Sequence, residues 1–109
     1  MIRVRIKGEA GNIKGFIVWG HAGYAPRGED IVCAGVSAIC TAAIISLAEL
    51  FPGNTRYRVL TSGLMYCRLR GDMTDEGVRD AQLILKVMSL GLEAIRDSHR
   101  EHIDITIGG

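Results

Sequence analysis

The sequence predicts an α+β domain with a mostly antiparallel sheet of about five strands and two main helices, in the order ββαββαβ. Stretches of alternating apolar and polar residues predict the strands, and two long segments between them are helical by composition or periodicity. The chain has 109 residues, of which 48% are hydrophobic, so one core accounts for its apolar side chains. We therefore expect a single domain over residues 1–109.

The first element is a β-hairpin. Apolar residues alternate with basic ones from Ile2 to Lys7, and a turn leads into a second strand over Ile13 to Trp19. A loop with three glycines and one proline follows, from Gly20 to Glu29.

The first helix is predicted from about Ile31 to Leu50, where Pro52 and Gly53 stop it. Its stretch from Ile31 to Ala48 is uncharged and long enough to cross a membrane. Half of those positions are Ala, Gly, Ser or Thr, however, and the flanking patterns are typical of sheet. We interpret it as a core helix buried on most sides, and expect no membrane partner.

A second hairpin is predicted over about Thr55 to Thr61 and Leu64 to Arg70, joined by a two-residue turn at Ser62-Gly63. That turn divides the arginines between the two faces of the hairpin. Arg68 and Arg70 would share one face with Tyr57 and Tyr66, and the opposite face would hold Arg56 and Arg58 with Met65, Cys67 and Leu69. A nucleic-acid platform needs its basic and aromatic side chains together, so direct nucleic-acid binding is not expected.

The second helix begins near Thr74. Apolar residues recur from there at helical spacing, at Ala81, Ile84, Leu85, Met88, Leu92 and Ile95. Gly91 is unfavourable inside a helix and suggests close approach to the first helix. A final strand alternates isoleucine with polar residues from His102 to Ile107.

Charge and cysteine content restrict the function. Thirteen Lys and Arg against twelve Asp and Glu leave a net charge of +1, which provides no general attraction for polyanions. The three cysteines are widely spaced and odd in number, which favours reduced thiols and a cytoplasmic location. No spacing of His and Cys fits a metal site, and His99 and His102 are interpreted as marking a helix end.

The chemistry is predicted where the loop meets the first helix. With Asp30 as N-cap, Cys33 falls at the third helical position, where the helix dipole lowers a thiol pKa. His21 in the loop could accept the thiol proton, and the free amides of the first turn could polarise a carbonyl oxygen. Ser37 lies one turn further along the same helix face and could support the site. Cys40 and Cys67 are interpreted as packing residues.

The block from Gly20-His21 through Asp30-Ile31-Val32-Cys33-Ala34-Gly35 to Ser37-Ala38 resembles the ribosomal-processing cysteine protease family, called Prp or YsxB-like. The likeness extends over nearly the whole chain and includes Asp80 to Leu85. It implies that Cys33 is the nucleophile and His21 its general base, with Gly20, Asp30 and Ser37 at supporting positions.

The resemblance also implies a reaction. Members of that family remove the N-terminal extension of large-subunit ribosomal protein number twenty-seven after an aromatic residue, through a thioester acyl-enzyme and without a cofactor. A homodimer is implied as well, together with a mobile loop, here Ala22 to Glu29, that closes over the substrate.

Two other functions remain open on the residues alone. The first is a non-catalytic ribosome- or RNA-associated binding module whose Cys and His are structural. The second is a thiol redox sensor using Cys33, although the sequence has no obvious resolving cysteine.

Overall fold

The computed structural model describes residues 1–20, 27–60 and 63–109, with backbone only for residues 27–29. Its elements follow the predicted order of strands and helices. They are β1 (Ile2–Glu9), β2 (Asn12–Trp19), α1 (Arg27–Leu50), β3 (Thr55–Val59), β4 (Met65–Leu69), α2 (Asp75–Ser98) and β5 (Ile103–Ile107). The α+β fold is thereby confirmed.

The five strands form one sheet in the order β3-β4-β2-β1-β5. The pairs β1–β2, β2–β4 and β3–β4 are antiparallel, whereas β1 and β5 run parallel. The parallel pair consists of the first and the last strand of the chain. Such a pair needs a long crossover connection, and α2 provides it before β5 begins. The sheet is thus mostly antiparallel, as the sequence predicts.

Both helices pack on the same face of the sheet. Alternate residues of β1, Ile2, Val4 and Ile6, are buried against them, while Arg3 and Arg5 face solvent on the other side. The core also contains Phe16 and Val18 of β2, Met65 and Cys67 of β4, and buried positions of α1 and α2. One face of the sheet is therefore covered, and we call the uncovered one the open face.

The helix α1 is buried on one side only, contrary to our prediction. Its core residues recur at helical spacing, at Val32, Val36, Cys40, Ala43, Ile44 and Leu47. Ile31 and Ile45 lie on other sides of the helix and are 67% and 61% exposed. By length and composition α1 could cross a membrane, but its buried stripe packs against the sheet as in the core helix of a two-layer domain.

The helix α2 is held at both ends and in its middle. The Thr74 hydroxyl caps its beginning by accepting a hydrogen bond from the Gly77 amide at 3.0 Å. In its middle the Gln82 side chain accepts from the Ile13 amide at 2.7 Å and donates to the Ile13 carbonyl at 2.8 Å. Gly91 packs against Ile39 of α1, which confirms the predicted close approach of the helices.

The turn of the second hairpin is one residue longer than predicted. Leu60 donates from its amide to the carbonyl of Leu64 at 2.9 Å, so three residues, 61–63, separate the paired positions. Of these, Thr61 and Ser62 lie outside the described residues. The register consequently places Arg56 opposite Arg68 and shifts every pair by one residue.

This shift reverses the predicted division of charge. Paired residues share a face, so Arg56 and Arg58 lie on the same face as Tyr66 and Arg68. Tyr57 pairs with Cys67 and lies on the other face, together with Met65. The predicted split of the arginines between two faces is therefore wrong, because a one-residue slip moves one whole strand to the opposite side.

Candidate active site

Cys33 lies in the second turn of α1, because this helix begins at Arg27 rather than near Ile31. Asp30 belongs to the first turn and is exposed, so its predicted role as N-cap is wrong. Acidic residues such as Glu29 and Asp30 are typical of a first helical turn, where they stabilise the positive end of the dipole. Residues 27–29, which we predicted as the end of the loop from Ala22 to Glu29, belong to α1 instead.

The longer helix changes which amides are available. The first four N–H groups of a helix have no partner within it, and here they belong to residues 27–30. The Cys33 amide comes after them, so it cannot itself stabilise an oxyanion as a free first-turn donor. The dipole effect falls off within the first turn, and thiolate formation at Cys33 then depends more on a neighbouring base.

The three cysteines have different surroundings. Cys40 and Cys67 are buried in the core, and burial raises the pKa of their thiols from 9.0 to about 12 and about 11 respectively. Cys33 is half-buried and packs against the edge of that core. The prediction that Cys40 and Cys67 are packing residues is confirmed, and Cys33 is the least buried of the three cysteines.

Gly20 directly follows β2 and has a conformation that a side chain would not tolerate. Its φ is +95°, and a Cβ built on it would run into the carbonyl oxygen of Met1. Glycine is therefore needed for the chain to leave the sheet beside the start of β1. His21 comes next in the sequence and lies outside the described residues, as does the predicted mobile loop up to Pro26.

Ser37 lies one helical turn beyond Cys33 and is half-buried. Its hydroxyl makes no hydrogen bond to any residue that the structure describes. Ser46 on the same helix behaves differently, since its hydroxyl donates to the Ala42 carbonyl at 2.8 Å. The Ser37 hydroxyl is thus not bound to the carbonyl of the preceding turn.

The end of α2 lies at the same end of the molecule as Cys33. Gly35 packs against Ile95, and Ile39 packs against Gly91, so the two helices are antiparallel. His99 caps the end of α2 with its backbone amide, which donates to the carbonyls of Ile95 and Arg96. This confirms that His99 marks a helix end.

One property of His99 is not predictable from the sequence. Its ring Nδ1 is buried and has no hydrogen-bond partner within the described residues. A buried polar atom of this kind is uncommon in folded proteins. Only the packing of α2 against α1 places this histidine near the start of α1. The sequence separation of His99 and Cys33 therefore does not show that the two residues lie at the same end of the molecule.

Metal binding has no obvious place in this arrangement. Within residues 1–20, 27–60 and 63–109, no group of three or more His, Cys, Asp or Glu side chains could hold a metal ion. The chemistry available at the described site is that of a half-buried thiol near a helix beginning.

Comparison with known proteins identifies the family of this chain. A family model described as cysteine protease Prp matches residues 1–104. The chain belongs to the Prp family of cysteine proteases. This membership confirms the family predicted from the block around His21 and Cys33. It also excludes a purely non-catalytic binding module, so the protein is a cysteine protease.

Curated relatives of this Prp chain come from two bacteria. The ribosomal processing cysteine protease Prp of Bacillus subtilis is 28% identical over 95 residues, covering 86% of this chain and 85% of the relative. The protein of that name from Staphylococcus aureus is 30% identical over 95 residues, covering 87% of each chain.

Solved structures of Prp have the same fold. The S. aureus protease in complex with a substrate peptide superposes with a TM-score of 0.77 at 28% identity, covering 98% of this chain and 99% of that one. The same protease with a covalently linked product peptide has a TM-score of 0.77 at 30% identity, with the same coverage.

Proposed function

We propose that this protein is a Cys-His endopeptidase that removes the N-terminal extension of large-subunit ribosomal protein number twenty-seven, cutting after an aromatic residue. The observation that carries the proposal is the difference among the thiols, since Cys33 alone of the three lies outside the core. The curated relatives are named for ribosomal processing, and one solved relative holds a covalently linked product peptide. Both facts favour covalent catalysis on a ribosomal substrate.

In the proposed reaction, His21 takes the proton of the Cys33 thiol, and the thiolate attacks the carbonyl carbon of the aromatic residue. The negative charge that develops on the carbonyl oxygen is stabilised by free amides in the first turn of α1. The C–N bond then breaks, and the departing amine takes the proton from His21. A thioester joins Cys33 to the N-terminal fragment.

Hydrolysis completes the cycle. His21 removes a proton from water, the hydroxide attacks the thioester carbonyl, and the Cys33 sulfur leaves and regains its proton. Gly20 positions His21 through its turn at the end of β2, and Ser37 and Asp30 support the nucleophile from the helix. The loop after His21 closes over the peptide, and no cofactor takes part.

Two further properties belong to this proposal. A cytoplasmic location would keep Cys33 reduced, as a nucleophilic thiol requires. We also propose a homodimer formed through the exposed side of the helix layer. That side carries a shallow apolar groove of about 490 Å³ between α1 and α2, bordered by Ile39, Ala42, Leu83 and Val87.

The experiment that tests catalysis uses a synthetic peptide spanning the extension and the cleavage site, with mass spectrometry of the products. Cys33→Ala and His21→Ala should each abolish cleavage, because they remove the nucleophile and its base. Cys67→Ala serves as the matched control and should cleave normally, since its thiol is in the core. Normal cleavage by Cys33→Ala would refute the proposed nucleophile.

A further inference from the structure

The open face of the sheet is strongly basic although the net charge of the protein is only +1. The register places Arg3, Arg5 and Lys7 of β1 on it, beside Arg56 and Arg58 of β3 and Arg68 of β4. Lys14, at the irregularity in the β1–β2 ladder, and Arg70, after β4, line a cleft on the same face. Eight of the 13 Lys and Arg residues are thus gathered on one side of the molecule.

Carboxylates lie at the margins of this face. Within the described strands they are Asp104, on the edge strand β5 opposite Arg3, and Glu9, at the tip of the first hairpin. No ion pair joins any of the eight cations to a carboxylate in the part of the chain that the structure describes. Among the described residues, no carboxylate therefore neutralises the positive charge at the centre of the face.

Aromatic and apolar side chains lie among these cations. Trp19 pairs with Arg3, and Tyr66 pairs with both Arg58 and Ile17, so the two rings share the open face. Trp19 is 37% and Tyr66 is 39% exposed. Planar rings interleaved with arginine and lysine are the combination that binds single-stranded nucleic acids, since bases stack on the rings and phosphates contact the cations.

A cleft of about 610 Å³ lies where the charge is densest. Lys7, Lys14, Arg56, Arg68 and Arg70 line it together with Tyr66, and among the described residues no Asp or Glu side chain lines it. Gly15 forms part of its floor between Lys7 and Arg68, because a Cβ there would run into the carbonyl of Cys67. The missing side chain leaves the cleft open between the two cations.

The pairing of Arg56 with Arg68 identifies the kind of occupant. Like charges directly opposite each other destabilise a sheet, and an anion bound between them would remove the repulsion. A second copy of this chain would instead bring another set of cations against this face. A flat anionic membrane could neutralise charge but would not reach a ring inside a cleft.

We propose that the open face binds single-stranded RNA, with phosphates on Arg56, Arg68 and the neighbouring lysines, and a base stacked on Tyr66. Strands lie about 4.8 Å apart, so β3 to β1 span about 14 Å, a width suited to one polynucleotide strand. The choice of RNA over DNA rests on the proposed ribosomal function, because a protease of ribosomal proteins works beside ribosomal RNA. The binding surface itself does not depend on the protease chemistry.

The test measures fluorescence anisotropy of a labelled ten-nucleotide oligouridine in 50, 100 and 200 mM KCl. Contact with three or four phosphates predicts that the logarithm of affinity falls with the logarithm of salt with a slope of about −2 to −3. The double variant Arg56→Gln/Arg68→Gln should weaken binding at least tenfold and reduce the slope by about 1.4. Tyr66→Ala should weaken binding about tenfold with the slope unchanged, and Tyr66→Phe should restore it.

The matched control removes the same charge from the other side of the molecule. Arg79→Gln/Lys86→Gln lies on α2, where both residues are exposed, and should bind RNA as the unmodified protein does. Equal binding by the open-face variants and this control would overturn the proposal. Equal affinity for a deoxythymidine oligomer of the same length would overturn the assignment to RNA.

Two cross-measurements keep this proposal separate from the protease function. Cys33→Ala should bind RNA normally, and Arg56→Gln/Arg68→Gln should cleave the isolated peptide normally. RNA binding without peptide cleavage would refute only the proposed function, and cleavage without RNA binding would refute only the present inference. Thermal unfolding of each variant checks that it is folded.

Discussion

At the scale of single residues, the site depends on how three thiols differ. Cys33 is half-buried on the second turn of α1, whereas Cys40 and Cys67 are enclosed by the core, where burial raises their pKa to about 12 and about 11. A thiol with a raised pKa stays protonated and unreactive at neutral pH. Burial therefore keeps Cys40 and Cys67 unreactive, in agreement with the packing roles that the sequence predicts for them.

The same raised values predict how stability depends on pH. The unfolded chain releases the protons of Cys40 and Cys67 near pH 9, while the folded protein retains them until about pH 12 and 11. The two protonated thiols thus contribute fully to the stability of the folded protein below pH 9. Above pH 9 the free energy of unfolding falls by up to about 1.4 kcal/mol per thiol for each pH unit. Urea unfolding between pH 8 and 10.5 measures this loss, and Cys40→Ala should reduce its slope. An unchanged slope would contradict the assignment.

Gly20 predicts a second effect at a single position. Gly20→Ala should lower the free energy of unfolding by about 1–3 kcal/mol, because its φ is +95° and the Met1 carbonyl occupies the space of a Cβ. Peptide cleavage should fall as well, since in the proposed function this turn positions His21. Gly53→Ala is the matched control, as nothing lies within 4 Å of its Cβ position. Equal stability of the two variants would show that the turn tolerates a side chain.

At the scale of elements, the attachment of α2 to the first hairpin is the clearest feature. The register of β1 and β2 shifts between Lys7 and Gly8. At this irregularity both backbone groups of Ile13 are bound by the side chain of Gln82. Gln82 belongs to the stretch from Asp80 to Leu85 that contributes to the family resemblance. Its hydrogen bonds to Ile13 show that this stretch has a structural role in attaching α2 to the first hairpin.

Gln82→Ala should therefore lower the free energy of unfolding by about 2 kcal/mol, because two hydrogen bonds are lost and two half-buried backbone groups are left without partners. Urea unfolding at pH 7 measures the change. Lys86→Ala, an exposed position one turn further along α2, should alter stability by less than about 0.5 kcal/mol. A loss at Lys86 as large as that at Gln82 would contradict the assigned role.

At the scale of the whole molecule, the two layers expose different chemistry. The sheet presents cations and aromatic rings, and the helix layer presents aliphatic side chains such as Ile45, Leu83, Val87 and Leu90. A contiguous apolar patch on a small protein marks an interaction surface. The proposed homodimer would use the helix layer and leave the basic face free.

Sedimentation equilibrium tests that arrangement. The double variant Leu83→Glu/Val87→Glu places charges on side chains that are 64% and 63% exposed, and should weaken the dimer at least a hundredfold. Tyr66→Glu lies on the open face of the sheet, on the side opposite the helices, and should leave the dimer unchanged. A monomeric unmodified protein at micromolar concentration would contradict the proposal.

The sequence by itself determined the number, type and order of the elements, because period-two and helical patterns and the Thr74 cap are local properties of the chain. It also predicted the family and the packing roles of Cys40 and Cys67. The parallel pairing of β1 with β5 depended on contacts between distant segments, which have no local signal.

Only the tertiary structure decided the register of β3 on β4 and the beginning of α1. The register differs from the prediction by one residue in the hairpin turn, and the helix includes three residues predicted as loop. At such boundaries, cross-strand pairing and helix hydrogen bonds outweigh local turn preferences. A single residue added to the turn brought Arg56 and Arg68 together, because side chains alternate along a strand. The basic face, which the sequence pattern divided into two, became one continuous surface for that reason.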